Sequence, residues 1–128
     1  MRAVMVFALA AYGLILSVPL SAHHGDAIYD LTAKKVTLKG TVTQWVWANP
    51  HCVLEFDVTD NGQVTHWVAE TTAPPSLIQR GWKKQSLKSG DQVTITVLPV
   101  KNGRTVGRLL QVVLPDGQTL PRGDGEQN

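Results

Sequence analysis

Three histidines carry the strongest chemical suggestion in this 128-residue chain. His23 and His24 stand side by side in "PLSAHHGD", directly after an apolar leader, and His51 lies in "WANPHCV". A cut after Ala22 would make His23 the first residue of the mature chain. Its α-amine and its own imidazole can then grip one metal ion together. A second imidazole completes a T-shaped, all-nitrogen set. His51 is the best candidate for that arm, because the NPH segment sits at a strand end; His24 is the other. Nitrogen ligands in a plane favour Cu(II), which also tops the divalent affinity order. A cut after Ser21 instead leaves Ala22-His23-His24, where a histidine third from the free amine wraps Cu(II) or Ni(II) with two backbone nitrogens. The bland alternative is a solvated chain end. The expected metal ligands are therefore His23, His24 and His51, and the expected cofactor is copper.

This chemistry depends on processing, so the leader comes next. Arg2 supplies a positive start, "AVMVFALAAYGLILSV" carries no charge, and small residues close the segment. That is the build of a secretory signal peptide over residues 1–22. The apolar run is at the low end of the roughly 17–25 residues that span a bilayer, so no stable membrane anchor is expected after cleavage. A periplasmic or secreted protein follows. With 12 Lys and Arg against 10 Asp and Glu, and Arg2 removed with the leader, the mature chain is almost neutral. No basic field is left to hold a nucleic acid. The single cysteine, Cys52, excludes an internal disulfide and is expected to be buried.

A second group of residues suggests a different function. Trp45 and Trp47 alternate on one side of a strand pattern, with Asn49 just beyond. Aromatic side chains on a barrel face can stack on sugars or other flat ligands. This supports the alternative of a non-catalytic module for a peptide, a glycan or an exported partner protein. His66 is expected to be a half-buried structural histidine in mid-strand. Asp26, Tyr29 and Asp30 read either as support for the histidine pair or as a polar lead-in. No serine or cysteine has a plausible base and orienting partner, and no glycine loop is built to cradle phosphate. Glu55 and Asp57 share a strand face, where charges are usually solvated. The residues point away from an enzyme.

The elements that must hold these side chains are mostly strands. "KKVTLKGTVTQWVWA" alternates, with Val36, Leu38, Gly40, Val42 and Val46 facing one way and Thr41, Thr43, Trp45 and Trp47 the other. Gly40 marks a bend where one strand can serve two sheets. "CVLEFDVT" and "QVTHWVAE" form the next two strands, joined by a tight turn at Asn61-Gly62. "TTAPPSLIQRGW" reads as a short helix capped by Thr71 or Thr72, with Leu77, Ile78 and Trp82 plugging the barrel. "DQVTITVLPV" and "GRLLQVVLP" complete five strands, and a polar tail follows the "PDG" turn. This order matches a small five-stranded Greek-key barrel of the oligomer-binding (OB) type, all-β with one short helix. A small β-sandwich is the alternative. The barrel is expected over residues 23–120 and a disordered tail over 121–128.

The segments "SAHHGD", "LKGTVTQWVWANPH", "RGWKKQSLKSGDQV" and "LPDGQTL" together resemble a family of small exported bacterial proteins of unknown function. The resemblance covers essentially the whole mature chain. It implies export and a small β-barrel, and it brings no established activity.

Overall fold

Alternating β-branched and polar residues resolve into β1, Val36–Val46, the longest strand of the molecule as described. The computed structural model describes Tyr29 and residues 34–121. The leader over 1–22, His23, His24, Asp26 and Asp30, and residues 122–128 lie outside the described residues. After β1 come β2 (Val53–Asp60), β3 (Gln63–Glu70), the helix α1 (Pro74–Gln79), β4 (Gln92–Pro99), β5 (Val106–Val113) and the short β6 (Thr119–Pro121).

The strands hydrogen-bond in the order β3-β2-β1-β4-β5-β6, and a parallel pairing of β3 with β5 closes the sheet. A five-stranded Greek-key barrel results, with the helix between its third and fourth strands as expected for the OB type. β6 extends the sheet beyond β5, where sequence alone suggested a turn and then a tail.

β1 serves both halves of the barrel. Its first part, Val36 to Thr41, pairs with β4, and its second part, from Thr41, pairs with β2. The bend needs Gly40. A Cβ there would lie 2.7 Å from Cδ2 of Phe56 and 3.0 Å from the Asp57 carbonyl oxygen, so only glycine allows this approach.

Just past the bend, the β1–β2 register shifts between Val42 and Gln44. This bulge inserts one residue into β1 and resets its alternation. Trp45 therefore stands opposite the fully buried Leu54, and Val46 opposite Val53. The expected faces of Trp45 and Val46 are thus exchanged. A period-two pattern carried through a bulge assigns every later side chain to the wrong side.

The barrel interior is filled by Val42, Leu54, Phe56, Ile95, Val97 and Leu109, with Leu77 and Trp82 from the helical segment at its end. Two further expectations for that segment are corrected. The N-cap is Ala73, with no side-chain cap hydrogen bond, so neither Thr71 nor Thr72 caps the helix, and Pro at the first positions supplies the helical φ instead. Ile78 does not plug the barrel; it is 60% exposed. The helix stops at Gln79, and Gly81, with φ +86°, follows the C-cap residue Arg80. The Gly81 N–H donates to Ile78 O and the Trp82 N–H to Leu77 O, which turns the Trp82 ring back under the helix. There Trp82 Nε1 donates to the Pro121 carbonyl at 2.6 Å, tying the helical segment to β6.

Candidate functional site

His51 lies in the β1–β2 connection, directly after the cis Asn49–Pro50 bond. Its position is set by the backbone of the next residue. The Cys52 N–H donates to Thr72 O at 2.9 Å, and the Thr71 N–H donates to Cys52 O at 3.0 Å. These bonds extend the β2–β3 ladder past the strand ends and bring His51 beside Glu70, the last residue of β3. Nδ1 of His51 contacts Oε1 of Glu70. A carboxylate only accepts, so a neutral His51 donates from Nδ1 and keeps a lone pair on Nε2. Among the described residues Nε2 has no hydrogen-bond partner, and the side chain is 35% exposed.

Glu70 also receives a second donor. The Tyr29 hydroxyl donates to Oε2 of Glu70 at 3.2 Å. Tyr29 is buried and forms an antiparallel bridge with Val100, on the run between β4 and β5. The guanidinium of Arg108 sits 4.5 Å above its ring, and Arg108 is the register partner of Glu70 across the β3–β5 closure. Burial pushes the Tyr29 phenol above its ordinary value, the Glu70 charge pushes the same way, and Arg108 opposes both. One carboxylate thus joins the histidine of the NPH segment to Tyr29, six residues after His23 in sequence.

The remaining expected site residues lie elsewhere. Trp45 and Trp47 are partly buried and pack against the core, with Trp45 5.5 Å from Trp82 and 5.9 Å from Trp47 between ring centroids. The Trp45 indole N–H is buried without a partner among the described residues. Asn49 is exposed in the loop. Cys52 is fully buried, as expected, and burial pushes its thiol up. His66 corrects the expectation of a half-buried residue. It is exposed on the outer face of β3, with Nδ1 2.7 Å from Asp57 and Nε2 3.3 Å from Glu55. Mid-strand position alone does not separate inner from outer face. The sequence reading missed Glu70 and Arg108 altogether and left Tyr29 ambiguous. Their separations along the chain leave no local signal, although Val64, His66, Val68 and Glu70 do share one strand parity.

Among the described residues no group of three His, Cys, Asp or Glu side chains could hold a metal ion. His51 and Glu70 are therefore a pair and not part of a described three-residue cluster.

The profile of a family of unknown function (DUF6152) matches residues 13–109, well over half of the 128-residue chain. The chain belongs to that family. The DUF6152 match takes in His23, His24, Tyr29, His51, Glu70 and Arg108, so both the described cluster and the histidine pair fall inside it. No curated protein and no solved structure matches the chain. DUF6152 membership therefore brings no activity, and function rests on the residues.

Proposed function

We propose that this is an exported, periplasmic β-barrel protein that binds one Cu(II) ion through its processed N-terminus and His51. His23 supplies amine and imidazole, Nε2 of His51 supplies the third nitrogen, and His24 is the reserve ligand. The protein serves as carrier, sensor or accessory to another exported protein. One observation carries the reading: the Glu70 carboxylate touches both His51 and Tyr29. His23 precedes Tyr29 by 29 − 23 = 6 residues, so the new terminus lies within about 20 Å of chain from that anchor. A tether that short gives an effective concentration on the order of millimolar for the second ligand. The donor set is all nitrogen, and the half-exposed His51 side chain has a lone pair on Nε2 with no partner among the described residues, which suits Cu(II).

The test begins with the intact mass of protein purified from the periplasm, which fixes the cut. Copper titration follows. One Cu(II) bound at sub-micromolar affinity is expected. Adding one residue before the mature terminus should abolish that affinity, and His51→Ala should weaken it at least tenfold. Binding indifferent to the added residue overturns the terminal chelate; an unchanged constant in His51→Ala removes His51 from the site.

A further inference from the structure

We infer that Glu70 is the positioning residue of this site: its carboxylate holds Nδ1 of His51 and the hydroxyl of Tyr29 at once, so that His51 presents Nε2 as the ligating nitrogen with Tyr29 fixed beside it. The inference rests on the copper reading, but its first test needs no metal.

The argument starts from the imidazole. A neutral histidine carries one ring N–H, and which nitrogen bears it is set by the hydrogen bond the ring makes. A histidine side chain free in water favours the proton on Nε2. Glu70 imposes the opposite choice, because Oε1 demands a donor at Nδ1. The carboxylate is itself held in place. Its backbone ends β3, opposite Val53 on one side and Arg108 on the other. Its second oxygen takes the Tyr29 hydroxyl. Tyr29 is fixed in turn by the Val100 bridge and by the Arg108 guanidinium over its ring. No loop flexibility enters between Glu70 and the barrel, so the direction of the His51 lone pair is a property of the closed sheet.

Two consequences follow for the ion. A carboxylate bonded to the outer nitrogen of a ligating histidine strengthens the ligand, and losing such a partner typically costs 10- to 100-fold in metal affinity. The carboxylate also places a negative charge one imidazole away from the metal. That charge favours Cu(II) over Cu(I), whose lower charge gains less from it.

The first measurement is the nitrogen-15 spectrum of the histidine rings in the metal-free protein at about pH 8, where an ordinary imidazole is neutral. The Nδ1–H form of His51 is expected in the wild type, shifting toward Nε2–H in Glu70→Ala. An Nε2–H wild type overturns the inference, and that spectrum decides alone if Glu70→Ala fails to fold. So does a tautomer unchanged by Glu70→Ala. The second measurement is Cu(II) titration of Glu70→Gln, which preserves the side-chain shape. Binding 10- to 100-fold weaker than wild type, with the copper reduced at a higher potential, is expected; wild-type affinity and potential overturn the role. A wild type that shows the Nδ1–H form yet binds no copper sinks the metal reading instead and leaves Glu70 as the group that orients His51.

Discussion

At the scale of single residues, the two described histidines have opposite environments. Both ring nitrogens of His66 face carboxylates, Asp57 at 2.7 Å and Glu55 at 3.3 Å, all on the solvated face of the β2–β3 hairpin. The hydrogen bond to Asp57 is the main cause that raises the His66 pKa; slight burial works against it, and Glu55 adds to it. A raised folded value means that protonated His66 stabilises the fold. That contribution is full below the unfolded value near pH 6.5 and is lost as pH rises through the higher folded value. Solvent screens an exposed cluster, which limits the effect to less than about 1 kcal/mol. Urea unfolding from pH 5.5 to 8.5 should therefore show a drop above about pH 6.5 that is absent in His66→Gln. Parallel profiles for the two proteins would remove the imidazolium from the account. His51, in contrast, has one nitrogen engaged and the other free among the described residues, the state expected of a ligand. The sequence pointed to His51 through its neighbours Asn49 and Pro50. It was silent on Glu70, because the pairing spans 19 positions and depends on how two strand ends meet.

At the scale of elements, β1 decides most. Its glycine was legible as a bend, and the structure supplies the reason: Phe56 and the Asp57 carbonyl occupy the space of a Cβ. Gly40→Ala should cost about 1–3 kcal/mol through overpacking, read as a lowered urea midpoint with an unchanged slope. A midpoint within error of wild type would mean that β1 yields without strain. The bulge between Val42 and Gln44 was missed, although adjacent polar Thr43 and Gln44 followed by adjacent apolar Trp45 and Val46 interrupt the alternation of "TVTQWV" at that point. It moves Trp45 to the core side, where the ring packs near Trp82. A tryptophan pair that looked like a ligand platform is thereby drawn into the packing of the barrel. Likewise Ile78 and Leu77 are adjacent apolar residues in a six-residue helix, and only the contact surface separates the buried one from the exposed one.

At the scale of the molecule, the barrel is closed by its weakest seam. β3 and β5 pair in parallel over three residue pairs, Val68 to Glu70 with Val106 to Arg108, whereas β2 and β3 pair over eight. Parallel pairing is also slightly less stable per residue. Amide exchange should show Val68, whose N–H donates to Thr105 O at 3.1 Å, opening before the interior of the β1–β4 ladder. Equal protection across both would show that the barrel opens only as a whole. Glu70, Arg108 and Tyr29 meet at this seam, so the candidate site and the point of closure coincide.

Alternation, turn residues and the position of the helix were enough to determine five strands in OB order, and adjacent histidines after an apolar leader were enough to suggest a chelating end. These are local signals: a period of two and a turn residue each act within a few positions. The bulge, the sixth strand and the cluster of Tyr29, His51, Glu70 and Arg108 were decided only by the tertiary structure. The bulge and the sixth strand depend on the register that neighbouring strands take, and the cluster on strands far apart in sequence; in each case the contacts of the closed barrel set the partner.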